Sequence, residues 1–128
     1  MKGSQLKIKV LIADDSPLMR RAIRELLSQE AGIEIVGEAY TLSDTLAMKE
    51  QYQPDIVVMD LHMMEESEVP PALLSANGSK VLAISICDPR DGVRKAENLG
   101  ASAFIDKLDL YNSLIPKIFE LREAQSSG

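Results

Sequence analysis

A chain of 128 residues and 14.1 kDa is long enough for one domain with a sizeable core and too short for two well-packed ones. Apolar residues at 45% and charged residues at 27% sit near globular averages and exclude a disordered, collagenous or coiled-coil chain. Lys and Arg number 14 against 20 Asp and Glu, and the net charge of −6 repels a phosphate backbone, so direct nucleic-acid binding by this segment is not expected.

Residues 1–5 and 125–128 are small and polar and are expected to be flexible, which leaves one domain over residues 6–124. Ile8, Val10, Leu11, Ile12 and Ala13 form a near-continuous apolar run, the mark of a strand buried on both faces, and it stops at Asp14-Asp15. Ser16 offers an N-cap and Pro17 a first-turn residue for a helix in which Leu18, Ala22 and Leu26 run beside Met19, Ile23 and Leu27, with Gly32 as its stop. A second strand spans residues 33–39. Ser43 is the expected cap of a helix carrying Leu46, Ala47 and Met48, and Pro54 excludes further helix.

Residues 55–59 read as a third buried strand ending on Asp60. Pro70-Pro71 permits only a short helix around residues 72–76, and Asn77-Gly78 turns the chain back. Residues 81–86 form the fourth strand, ending near Ser85, and the lone Cys87 that follows excludes an internal disulfide. Val93, Ala96 and Leu99 mark a helix closed by Gly100, and residues 103–106 a short fifth strand before Lys107. The last helix carries Leu114, Ile115, Ile118, Phe119 and Leu121, with Pro116 leaving its start open. No uninterrupted apolar run is longer than Val10 to Ala13, so neither a spanning helix nor a secretory leader is expected, and the cytoplasm is the expected location.

Strands alternating with helices imply a parallel sheet covered on both faces, because each right-handed crossover packs its helix back onto the sheet. Dinucleotide-binding and flavodoxin-like strand orders both fit this pattern. Neither G-x-G-x-x-G nor G-x-x-x-x-G-K-[ST] occurs, which removes the main support for nucleotide binding.

Ligands of such sheets collect at the carboxyl ends of the strands, which here hold Asp14, Asp15, Asp60, Ser85 and Lys107. Three converging carboxylates repel one another unless a cation compensates, and hard oxygen ligands suit Mg²⁺. A carboxylate oxygen can attack a phosphoryl group when cation and ammonium neutralise the developing charge and a hydroxyl donates one more hydrogen bond, roles that Asp60, Lys107 and Ser85 fit. Taken singly these residues are ordinary: an Asp-Asp pair is usually a turn or cap, His62 a solvated loop residue, Cys87 a small packing residue, and Glu65, Glu66 and Glu68 a solvated acidic loop. Their convergence at strand ends carries the inference.

From Ile8 to about Glu123 the chain resembles the receiver domain of bacterial response regulators. Val-Leu-Ile-Ala-Asp14-Asp15-Ser-Pro is similar to the family's acidic pair after the first strand, and Pro-Asp-Ile-Val-Val-Met-Asp60-Leu-His-Met to its phospho-acceptor segment. Ile-Ser85 is similar to the Thr/Ser strand end, and Gly100-Ala-Ser-Ala-Phe104-Ile-Asp-Lys107 to the segment holding the switch aromatic and the lysine.

The resemblance implies a flavodoxin-like α/β/α fold with strand order 2-1-3-4-5 and five helices, the third short. It further implies that Asp60 accepts a phosphoryl group from a histidine kinase or phosphotransfer protein. Asp14, Asp15, Asp60 and the backbone carbonyl of His62 would hold Mg²⁺, and Ser85 and Phe104 would carry the change to the face of the fourth helix and fifth strand. Such a module is no enzyme beyond its own phosphorylation and dephosphorylation, and a receiver homodimer is a further implied partner state. Local segments also look like receivers joined to helix-turn-helix output domains, which implies transcription regulation.

Several positions depart from the family pattern. Met64 stands where proline is usual, Glu65-Glu66-Ser67-Glu68 replaces a glycine-bearing loop, Ile86 follows Ser85 where a small residue is usual and could crowd the phosphoryl entrance, and Leu108 replaces a proline after Lys107. They motivate an alternative, a receiver-shaped interaction scaffold that is not phosphorylated. An aspartyl-nucleophile phosphatase is a third reading, against which stands His62 at the position where such enzymes need a second acid.

Overall fold

The computed structural model describes residues 6–65, 78–86 and 88–126. Five parallel strands, β1 (Ile8–Ala13), β2 (Ile33–Ala39), β3 (Ile56–Asp60), β4 (Lys80–Ser85) and β5 (Ala103–Asp106), lie in the order β2-β1-β3-β4-β5. Helices α1 (Pro17–Leu27), α2 (Leu42–Tyr52), α3 (Leu61–Glu65), α4 (Pro89–Asn98) and α5 (Leu110–Ser126) connect or follow them, with a 3₁₀ turn over Lys107–Asp109 before α5. The flavodoxin-like expectation holds, and the dinucleotide-binding order is excluded.

Side chains alternate across the central strands, and both faces are apolar. Val10, Ile12, Ile56, Val58, Leu82 and Ile84 pack beneath α1 and α5 with Ile23, Leu27, Leu114 and Ile118. Leu11, Ala13, Val57, Met59, Val81 and Ala83 form the opposite face, under α2, α3 and α4.

Two local expectations need correction. The first helix ends at Leu27, not at Gly32, because Ser28 caps it and both its N–H and its hydroxyl bond the carbonyl of Arg24. Gly32 serves packing instead, since a Cβ there would stand 3.3 Å from Phe119 Cζ. The cap of α2 is Thr41, whose extended backbone lets its hydroxyl accept from Asp44 N–H at 3.0 Å, and Ser43 lies inside the first turn. The start of α5, which Pro116 left open, is set by Asp106 and the 3₁₀ turn, and Pro116 lies inside the helix.

The short helix expected around residues 72–76 lies outside the described residues. A helical turn directly after Asp60, α3, was not expected, and its Met63 and Met64 are buried in the α2–α4 face.

Candidate functional site

Strand β1 lies between β2 and β3, so the chain leaves it toward one edge and later returns on its other side. The divergence opens a crevice at the carboxyl ends of β1 and β3. The register pairs Ala13 with Met59, which sets Asp14 and Asp60 side by side in that crevice. Both share the alternation phase of Ile12 and Val58, and Lys107 shares that of Ile105, so all three reach the α1–α5 side of the sheet.

The Lys107 ammonium lies 3.0 Å from Asp14 Oδ2 and 3.5 Å from Asp60 Oδ2. The remaining oxygen of each carboxylate accepts a backbone N–H two residues on, Ser16 to Asp14 Oδ1 at 2.8 Å and His62 to Asp60 Oδ1 at 3.0 Å. These short loops lock both rotamers and aim Oδ2 inward. Asp14 is fully buried, Asp60 is 6% exposed, and Asp15 stands at the open rim.

Burial raises the Asp14 carboxyl above its ordinary value, and the Ser16 N–H and Lys107 only partly oppose it. The buried Oδ2 is held by the Lys107 ammonium alone among the described side chains. One ammonium cannot balance three carboxylates. Oxygens of Asp14, Asp15 and Asp60 all lie within 4.8 Å of one another. This hard, all-oxygen donor set with a surplus negative charge fits Mg²⁺.

The other expected site residues surround this centre at different distances. His62 is exposed, and its backbone is tied to Asp60 through its N–H. Ser85 ends β4 opposite Asp106, half-buried, and its hydroxyl has no hydrogen-bond partner among the described residues. Ile86, expected to crowd the entrance, is 64% exposed. Leu108 donates its N–H to Asp106 Oδ1 at 3.0 Å, a bond that a proline at this position could not make. Cys87 lies outside the described residues.

Phe104 is not part of the acidic cluster. It packs toward α4, where a Cβ on Gly92 would come within 2.3 Å of its Cζ. Phe104 lines two surface clefts, of about 270 and 420 Å³, together with Val93 and Lys117. Ser85 and Phe104 lie on the same side of the sheet on adjacent strands, because the register pairs Ala83 with Phe104 and Ser85 with Asp106.

Two features escaped the sequence reading. One is Gly92 as the seat of Phe104, for which the sequence carries only an unexplained glycine inside a helix. The other is Arg20, whose Nη1 donates to the carbonyl oxygen of Asp14 at 2.7 Å. Its signal is positional: one turn after the Ser16 cap, a long helical side chain leans back over the loop that precedes the helix.

Comparison with known proteins agrees with this geometry. Residues 10–118 match the response regulator receiver domain family. The transcriptional regulatory protein PdtaR of Mycobacterium tuberculosis is 34% identical over 112 residues, which cover 86% of this chain and 54% of PdtaR, so the chain spans about half the length of this relative. The isolated REC domain of RcsB from Salmonella enterica serovar Typhimurium shares the fold with a TM-score of 0.81 at 17% identity, covering 92% of this chain and 90% of that one. CheY6 of R. sphaeroides, solved with the P1 domain of CheA3, is represented by a structure with a TM-score of 0.76 at 18% identity, covering 92% of this chain and 98% of the other. With the family's pattern matched along most of its length and its strand order reproduced, the chain belongs to the response regulator receiver domain family.

Proposed function

We propose that this receiver domain is a phosphorylation-operated switch, with Asp60 as the acceptor and a phosphorylated histidine of a kinase or phosphotransfer protein as the donor. The observation that carries the reading is the pair of buried carboxylates, Asp14 and Asp60, sharing the single ammonium of Lys107 with the Asp15 carboxylate close by. Asp14, Asp15, Asp60 and the carbonyl of His62 are the residues that would hold Mg²⁺. When bound, the ion supplies charge neutralisation between the acceptor and the incoming phosphoryl oxygens.

The chain's own groups divide the remaining work. The His62 N–H fixes one oxygen of Asp60, leaving the other to attack phosphorus as the P–N bond to the donor imidazole breaks and its electron pair returns to the ring nitrogen. Lys107, already within reach of that oxygen, neutralises charge on the transferred group. The free hydroxyl of Ser85 donates to a phosphoryl oxygen, and the response passes to Phe104 and the clefts beside α4 and β5. The module performs no other chemistry, a second receiver copy is a candidate partner for that face, and the cytoplasm is its location. Among the described residues no helix is long and apolar enough to cross a membrane.

A phosphatase is disfavoured because the position needing a second acid is the exposed His62. The scaffold reading draws on the unusual α3 turn with its buried Met63 and Met64. Intact-mass measurement with acetyl phosphate separates it from the switch. The expected result is one phosphoryl addition that requires Mg²⁺ and vanishes in Asp60→Asn; no addition to the wild-type chain would establish the scaffold instead.

A further inference from the structure

Arg20 occupies an electrostatically awkward position. It is the fourth residue of α1, where the helix dipole disfavours positive charge, and the first turn of that helix holds no acidic residue to offset it. Its side chain is nevertheless drawn in to 17% exposure. Three contacts hold it: the Asp14 carbonyl at 2.7 Å, the Glu38 carboxylate at 3.8 Å, and the ring of Tyr40 at 5.3 Å from the guanidinium carbon to the centroid.

The contact with Asp14 has a consequence for the neighbouring residue. The carbonyl of Asp14 and the N–H of Asp15 share one planar peptide unit, so fixing the oxygen fixes the plane from which the Asp15 side chain departs. The same residue is pinned on its other side, where Asp14 N–H donates to Ala39 oxygen at 3.1 Å. Asp14 is further restrained through its side chain by Ser16, whereas the carboxylate of Asp15 is exposed and takes part in no hydrogen bond among the described residues. Its placement within 4.8 Å of the other two carboxylates therefore depends on the backbone that presents it.

We infer that Arg20 is a positioning residue of the cation site: through the Asp14 carbonyl it holds the peptide plane that directs Asp15 into the acidic cluster, while Glu38 and Tyr40 hold Arg20. The inference rests on the proposed Mg²⁺-dependent reading and adds a second-layer residue to it. Outer-layer hydrogen-bond partners of this kind govern metal affinity without touching the metal.

Calorimetric titration of Mg²⁺ into the phosphate-free protein, together with the Asp15 amide resonance, tests it. Arg20→Met keeps the apolar stem over Tyr40 and removes the donor; it is expected to weaken Mg²⁺ binding about tenfold and to shift the Asp15 amide before any Mg²⁺ is added. Arg20→Lys, which can still donate, should recover part of the affinity. Arg24→Met loses its own ion pair to Glu38 but no contact of Arg20, and should lower the thermal midpoint slightly while leaving Mg²⁺ affinity near the wild-type value. Wild-type affinity in a folded Arg20→Met, or an equal loss in Arg24→Met, would reduce Arg20 to a staple between α1 and β2 and overturn the inference alone. Absence of Mg²⁺ binding by the wild-type chain would instead overturn the metal reading and this inference with it.

Discussion

Four aspartates of this chain make the same local bond, and only two of them build a site. Asp14, Asp60, Asp88 and Asp106 each lend Oδ1 to the backbone N–H two residues on, at 2.8 to 3.0 Å. Each marks a place where the backbone leaves a strand or enters a helix. Asp14 and Asp60 end the paired strands β1 and β3, so their second oxygens converge, buried, on Lys107. Asp88 and Asp106 flank the edge side of the sheet and cap: the Asp88 side chain is 48% exposed, starts α4 and meets Arg90 at 3.6 Å, while Asp106 starts the 3₁₀ turn. One residue type in one local motif thus becomes chemistry or capping according to which strands lie next to each other.

The widest separation between the two pairs is expected in phosphorylation itself. Lys107→Ala removes the ammonium shared by Asp14 and Asp60 and should slow labelling of Asp60 by roughly 10²–10³-fold, the usual scale for losing one charge-stabilising donor. Asp106→Ala should cost only a cap, about 1 kcal/mol of stability, with labelling close to wild type. Pseudo-first-order labelling rates by mass spectrometry and urea melts of both variants decide this, and comparable loss of labelling in the two would dissolve the contrast.

A smaller effect is expected in metal-free stability. Because burial raises the Asp14 carboxyl, its ionised form is a net burden on the folded state at neutral pH. Asp14→Asn should raise the metal-free thermal midpoint by a few degrees, with Lys107 still paired to Asp60, and should remove most of the stabilisation that Mg²⁺ confers on the wild type. A lowered midpoint would show that the Lys107 contact outweighs desolvation.

Asp14 and Asp109 should also differ in the sign of their pH dependence. The raised Asp14 group contributes stability fully present below the ordinary 3.8 and lost as pH rises through its higher folded value. Asp109 lies on the surface, where the hydroxyl of Ser113 and the amide of Asn112 hold its carboxyl below the ordinary value. Its contribution is present above 3.8 and lost as pH falls through the folded value. Between neutrality and about pH 4 the stability gap between wild type and Asp14→Asn should therefore narrow, whereas the gap to Asp109→Ala should hold until lower pH. Chemical denaturation at stepped pH in chelator reads both gaps.

The smallest effect is expected at Phe104, on the capping side of the sheet. Gly92→Ala gains up to about 1 kcal/mol of helix propensity, but its Cβ would collide with the ring at 2.3 Å and must displace it. Net stability should change little while the Phe104 ring resonances and the amides of α4 shift. Unmoved resonances would mean that the ring is not seated on Gly92.

Much of this architecture is written in local patterns. The apolar runs at residues 8–13 and 56–59 specify strands buried on both faces, and Ser16-Pro17 specifies the start of α1. The helix ends differ from those expected at Gly32 and Ser43 because hydroxyls earlier in the chain, at Ser28 and Thr41, bond the Arg24 carbonyl and the Asp44 N–H first, a competition that composition does not rank. The α3 turn was hidden because Leu61, Met63 and Met64 have no helical periodicity over so short a span, and their burial follows from the sheet face they cover.

By itself the sequence determined which residue types stand at the strand ends and the alternation of strand and helix, since both depend on neighbours within a few positions. Which carboxylates converge was decided only in three dimensions, by the order β2-β1-β3-β4-β5 and the Ala13–Met59 register that sets Asp14 beside Asp60. The same holds for Arg20 against the Asp14 carbonyl and Phe104 against Gly92. Side-chain periodicity assigns a residue to a face, but a distance between two faces or two loops exists only once strand order and crossover geometry have brought them together.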